Sequence, residues 1–237
     1  MKRTLVEKLG CPEQKIIVHN LGTDINGISA KIRQWDQKEP FKILLAGAFR
    51  EKKGFVYALE AIGLLFQEIH FKNIYVDIVG DAGPGDDGKK YKENLLNIVN
   101  KYNLDSIITF HGFTSRSDLL KIALKCHIGI FPSVWTADGD CEGGYPVTIL
   151  DVMATGLPVI GSTHCDIPEV VTNENGFLCK EKSIEDIAAA INAIYNNNGL
   201  LYRKSEAAFQ TVQKRFSWNI LSKQLDQIYT ELICVKN

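Results

Sequence analysis

A glycine pair, a proline-led helical pattern and two carboxylates stand together at Glu142-Gly143-Gly144-Tyr145-Pro146-Val147-Thr148-Ile149-Leu150-Asp151. Bare glycine backbone lets a ligand come close, and a helix start turns N–H groups without intrahelical partners toward an anion. Pro146 is expected at the first helical position, where its missing N–H costs nothing. From there Thr148, Asp151 and Thr155 fall on one helix face, and Ile149, Leu150 and Met153 on the core side. A phosphate at the helix start would leave its ribose near Asp151, whose carboxylate accepts hydroxyl hydrogen bonds worth about 1.5–3 kcal/mol each in a dry site. The plainer reading is an acid complementing the helix dipole, with Glu142 a surface acid of the loop.

A second cluster, Gly47-Ala48-Phe49-Arg50-Glu51-Lys52-Lys53-Gly54, runs from a strand end into a helix start. Arg50, Lys52 and Lys53 supply charge for a diphosphate, and the flanking glycines supply access; alone, the same residues make an ordinary solvated loop. Phe110-His111-Gly112-Phe113-Thr114 offers main-chain groups and a ring to a nucleobase, or is a simple turn. Gly80 to Gly85 is glycine-rich, but its spacing fits no phosphate fingerprint and reads as a surface turn. Asp138, Asp140 and Glu142 lack histidine partners, so no metal is expected there. His164-Cys165 is read as a turn near a core thiol, Cys141, rather than as a ligand set.

The elements that must position these residues alternate along the chain. Apolar runs at 42–47, 74–80, 107–110, 127–132 and 158–160 read as buried strands. Helical patterns lie between them: 54–68 with its stripe Phe55, Leu59, Ile62, Leu65, Phe66 and Ile69, about 89–102, a Ser115-capped helix, the Pro146 helix and one from Ser183. Continuous apolar strands alternating with helices predict an α/β fold, a Rossmann-like parallel sheet covered on both faces. Ligands of such sheets sit beyond the strand carboxyl ends, which is where every motif above falls. The first 25 residues give a short helix (4–9), a Gly-Cys-Pro turn and a strand at 16–19, and do not complete a domain. Beyond 199 the pattern is helical, with Ser217 as a cap.

Lys+Arg and Asp+Glu nearly cancel over 237 residues, for a net charge of −1, so no basic field exists to hold nucleic acid. No apolar run approaches the ~20 residues that span a bilayer. The six scattered cysteines suggest reduced thiols and a cytoplasmic setting.

Taken together, Gly47…Lys52-Lys53-Gly54, Gly112, Pro132-Ser133, Glu142 to Asp151, Met153-Ala154, Gly156 to Ile160 and Ile167 to Val171 resemble the family-4 retaining glycosyltransferases of the GT-B fold, in register and order over about residues 16–235. The resemblance implies two Rossmann-like domains facing across a cleft, this chain being the nucleotide-sugar half. Residues 1–25 would end the acceptor-side domain and its linker, 26–215 would bind donor, and 216–237 would be the helix crossing back. It implies that Lys53, with Lys52 or Arg50, holds the donor diphosphate and that Glu142 contacts the transferred sugar. Gly143, Gly144, Tyr145, Pro146, Val147 and Thr148 would present backbone to sugar and phosphate, Asp151 would hold the ribose, and Gly112 and Phe113 would meet the base. No metal or cofactor is implied. The donor would be a UDP- or GDP-sugar and the acceptor a glycan or a lipid-linked chain of a cell-surface polysaccharide, reached through the other domain, with peripheral membrane association through that half. This sequence departs from the pattern in one extra residue between Glu142 and Asp151, in Asp151 where glutamate is usual, and in Ala48 where arginine is common. A stand-alone nucleotide-sugar-binding module, self-associating through apolar surface left bare, is the alternative; a GT-B epimerase is a more distant one.

Overall fold

The computed structural model describes residues 2–68, 71 and 73–234. Ile69, the last member of the expected helical stripe, lies outside the described residues. Six parallel strands carry the fold: β1 (Phe41–Ala46), β2 (Ile74–Val79), β3 (Ile108–Gly112), β4 (Ile128–Phe131), β5 (Val159–Ser162) and β6 (Gly176–Cys179). Their spatial order is β3-β2-β1-β4-β5-β6. Side chains of β1 alternate between the faces: Phe41, Ile43 and Leu45 join one apolar cluster, Leu44 and Ala46 the other.

Helices cover both faces, as the buried strands require. α2 (Phe55–Gln67), α3 (Asp86–Tyr102) and α7 (Ile184–Tyr195) lie over the first cluster. α4 (Arg116–Ala123), α5 (Val147–Ala154) and α8 (Asn198–Thr211) lie over the second. α1 (Lys2–Leu9) precedes the sheet, α6 (Ile167–Val170) follows β5, and α9 (Trp218–Cys234) ends the described chain. Serine caps start α4 and α7, where the Ser115 and Ser183 hydroxyls accept from the N–H groups of Asp118 and Asp186.

Several local expectations fail for identifiable reasons. Residues 16–19 form no strand: no neighbouring strand offers them a ladder, and Ile17 and Val18 are exposed. β6 is present though unexpected; four residues at the sheet edge carry too little pattern to read. Pro146 stands one place before its expected position, as the N-cap of α5, with an extended ψ of 125°. Ser217 does not cap α9 with its hydroxyl, which instead donates back to the Gln213 carbonyl at 3.3 Å.

The segment before β1 is fastened beneath the sheet by a buried cation. The Arg33 guanidinium donates to the carbonyls of Lys31, Ala123, Cys126 and Thr155 and to the Thr155 hydroxyl. The Ala123, Cys126 and Thr155 carbonyls lie at the ends of α4 and α5, so the positive charge also answers the negative ends of two helices. Burial pulls its pKa down to about 10, leaving it charged at neutral pH.

His127 precedes β4 and stacks on Phe41 with ring centroids 5.0 Å apart. Its Nδ1 accepts the Lys42 N–H at 2.9 Å, so it must stay unprotonated for that bond to exist. Burial first, then the charges of Arg33, Lys31 and Lys42, lower its pKa to about 4. Below its free value of ~6.5 the unfolded chain takes up a proton that the fold refuses. Stability contributed by His127 is therefore complete above that pH and declines toward pH 4, by up to ~1.4 kcal/mol per pH unit. Urea denaturation from pH 7 to 4 should show His127→Gln with a shallower loss than the native chain; identical slopes would remove His127 from the acid transition.

Candidate functional site

The chain leaves β1 toward β2 on one side and returns to place β4 on the other. The outgoing loops of these neighbouring strands gather at the sheet's carboxyl edge, where ligands of such sheets sit. The loop after β1 carries residues 47–54 and the loop after β4 carries 132–146. They meet through an ion pair: Lys53 Nζ donates to Glu142 Oε2 at 2.9 Å. The Ser133 hydroxyl donates to the other carboxylate oxygen, also at 2.9 Å. Both charged side chains are largely shielded, at 19% exposure for Lys53 and 8% for Glu142.

Lys53 is aimed by the short turn that holds it. Residues Glu51–Lys53 form one 3₁₀ turn, and Gly54 follows with φ 65°. A Cβ on Gly54 would run into the Pro132 carbonyl, so the close approach of the two loops requires glycine at this residue. Lys52 ties the same loops farther out, donating to Asp140 Oδ1 and to the Cys141 carbonyl, both at 3.0 Å. That ammonium holds the Asp140 carboxyl below its usual range. Arg50, at the start of the turn, is exposed.

Glu142 is fixed at its backbone as well. Its N–H donates to Nε2 of the fully buried His164 at 3.2 Å. An accepting Nε2 places the ring proton on Nδ1, which lies 2.9 Å from Glu181 Oε1. The other Glu181 oxygen accepts from Trp135 N–H at 2.9 Å, so one carboxylate braces both ends of the loop.

Beside this pair lies an open cleft of about 160 Å³, lined by Gly47, Gly80, Phe113, Arg116 and Thr148 among others. Gly80 thus belongs to the cleft rather than to a surface turn. Gly112 turns the chain with φ 69° and leaves Phe113 65% exposed at the rim. Gly143 is exposed with φ 74°, Gly144 is half-buried, and Val147 opens α5 after Pro146.

Tyr145, expected to offer its backbone, buries its side chain, and the Asp151 carboxylate, expected at the ribose, is engaged by neighbouring groups. The Tyr145 ring is buried edge-on against Phe216, and its hydroxyl donates to the Leu21 carbonyl at 2.7 Å. Asp151 is buried, and its Oδ1 accepts from Arg116 Nε at 3.1 Å, Arg116 Nη2 at 2.8 Å and the Thr23 hydroxyl. Arg116 Nη2 also donates to the Asp24 carbonyl at 2.7 Å. Asp151 therefore fastens residues 23–24 to α4 and α5 and holds Arg116 at the cleft wall. Thr155, at the far end of the same helix face, is buried against Arg33. From sequence, Arg116 and Glu181 have no assigned role, Ser133 stands only within a family motif, and His164 reads as a turn residue. Arg116 was hidden inside a capped helix start, and the His164–Glu181 pair joins loops that no local pattern connects. Cys141 is brought to His164 and Cys165 more closely than a shared turn requires, with ligand-type atoms within 4.8 Å of one another.

The family model for glycosyl transferases group 1 matches residues 28–211. The amylovoran biosynthesis glycosyltransferase AmsK of Erwinia amylovora is 28% identical over 225 residues, covering 94% of this chain and 53% of its own length. The chain spans about half the length of the curated relatives it matches. Among solved structures, Anabaena HepE in complex with UDP and glucose superposes with a TM-score of 0.79 at 19% identity, over 96% of this chain and 60% of that one. The C-terminal domain of a glycosyl transferase group 1 protein, LpcC of Francisella tularensis, is covered over 100% of its length and 83% of this chain, with a TM-score of 0.69 and 23% identity.

The close approach at Gly54 gives a direct test of the loop geometry. Gly54→Ala should cost about 2 kcal/mol or more through its left-handed backbone and the Pro132 collision. Gly83→Ala, where an added Cβ meets nothing within 4 Å, should leave stability within about 0.5 kcal/mol. Equal losses in thermal melts would show that the loops part freely.

Proposed function

Since this chain belongs to the group 1 glycosyl transferases, we propose that it is the nucleotide-sugar-binding part of a retaining glycosyltransferase of the family-4 type. The Lys53–Glu142 pair, which joins the loops after β1 and β4 at the carboxyl edge of the sheet, carries this reading. A donor diphosphate entering there takes Lys53 from Glu142, with Lys52 and Arg50 close by for the outer phosphate charge. Glu142, released from the ammonium, turns to the hydroxyls of the sugar. The backbone from Gly143 to Thr148 and the first turn of α5 meet the phosphates. Arg116, oriented by Asp151, stands where the ribose passes, and Phe113 offers its ring to the base.

In the transfer itself the bond from the anomeric carbon to the diphosphate oxygen breaks while the acceptor oxygen bonds on the same face. The departing diphosphate receives the acceptor's proton. Lys53 and the α5 N–H groups stabilise the charge that grows on the leaving oxygen, which is the electrostatic part of the catalysis. HepE's complex with UDP and glucose supports a UDP-sugar before a GDP-sugar. AmsK's role in amylovoran biosynthesis supports a polysaccharide product and a glycan or lipid-linked acceptor, held by a domain beyond this chain. Residues 1–25 and α9 then form the seam toward that domain. Exposed Ile17, Val18, Trp218, Tyr229 and Ile233 on this seam favour a second reading, in which the chain alone binds donor and associates with another subunit without transferring sugar.

Titrating the chain with UDP and GDP tests the donor site. The preferred diphosphate at a hundred times its Kd should stabilise the fold by about 2.7 kcal/mol. Lys53→Ala should weaken its binding about 10- to 100-fold, the loss of one charge-assisted contact of ~1.5–3 kcal/mol. Unchanged affinity in a folded Lys53→Ala protein would refute the diphosphate assignment.

A further inference from the structure

We propose that Cys141, His164 and Cys165 form a binding site for zinc, joining the loop after β4 to the loop after β5. The two sulfurs and the imidazole Nε2 lie within 4.8 Å of one another. A tetrahedral zinc with Zn–S of ~2.3 Å and Zn–N of ~2.0 Å needs these atoms ~3.5–3.8 Å apart. Cys165 Sγ is 3.2 Å from His164 Nε2, so only small movements separate the present arrangement from a ligand set. Two thiolates and one imidazole are a soft donor set, which favours zinc over magnesium or calcium. The pairing leaves a fourth position for water.

Two further observations point the same way. His164 is fully buried, and its other ring nitrogen lies 2.9 Å from the Glu181 carboxylate. A carboxylate on the far nitrogen is how metal-binding histidines are commonly held in one tautomer and one orientation. Cys165 adopts φ 45°, a left-handed conformation rare outside glycine and asparagine, and in it the thiol faces Nε2.

Zinc at Nε2 would take the lone pair that now accepts the Glu142 N–H, so metal and hydrogen bond exclude each other. Binding would also release the two thiol protons to solvent. The cluster borders the proposed donor site through the Glu142 N–H, but metal uptake is read without donor, so the test stands whether or not the donor reading holds.

Cobalt(II) is the probe, because thiolate ligation gives it a sulfur-to-metal absorption band. The reduced 237-residue chain should take up one cobalt with that band, and zinc should displace it. Cys141→Ser and Cys165→Ser should each weaken uptake by at least about tenfold, and Glu181→Gln by about tenfold. Cys11→Ser/Cys234→Ser, which removes two thiols outside the cluster, should bind as the native chain does; circular dichroism checks that each variant is folded. Absence of the thiolate band in the reduced native chain would overturn the site. So would undiminished uptake in folded Cys141→Ser/Cys165→Ser, or a Cys141–Cys165 disulfide that takes no cobalt once reduced.

Discussion

Parallel strand pairing is the constraint on which the rest of this molecule depends. Each strand must be followed by a crossover that returns the chain to the starting edge, so every strand end with its outgoing loop gathers at one side of the sheet. Side chains far apart in sequence, such as Lys53 and Glu142, meet there because their loops leave neighbouring strands at the same edge. The reversal of winding between β1 and β4 decides which loops gather beside one another at that edge, and so where a ligand can enter.

The opposite edge must be tied down for that geometry to be precise. Arg33 does this with one side chain, collecting carbonyls from the ends of α4 and α5 and from its own segment. At the ligand edge, Asp151 and Arg116 fasten Thr23 and Asp24 to the starts of those same two helices. The segment from 23 to 33 is thus clipped at both ends of the layer formed by α4 and α5. Burying these charges is tolerated because the hydrogen bonds are nearly complete: among the described residues no buried side-chain polar atom lacks a partner.

The sheet, five of its strands and most of its helices were legible because burial on both faces writes itself as unbroken apolar runs. The Ile43-Leu44-Leu45-Ala46 run is of that kind. β6 escaped because an edge strand of four residues needs no such run, and 16–19 misled because apolar β-formers without a partner strand stay extended but unpaired. In the candidate site, Lys53 and Glu142 could be read because glycine and proline mark the backbone around them. Tyr145 and Asp151 could be placed but not oriented. Their side chains turn toward Leu21 and Arg116, partners whose position only the folded chain defines. His164 was invisible as a brace for Glu142 for the same reason: 22 residues separate them, and neither periodicity nor composition couples the two loops.

In the proposed donor site the Lys53–Glu142 ion pair would also set a selectivity. The ammonium of Lys53 is never offered bare, because a carboxylate already occupies it at 2.9 Å. A singly charged anion entering the site merely exchanges one ion pair for another and leaves Glu142 without its counter-charge, so the exchange gains little. A ligand with two adjacent charges, and hydroxyl donors to satisfy the displaced carboxylate, gains on both counts. With the proposed donor as ligand, the pair would thus work as a threshold against abundant small anions, without any steric gate.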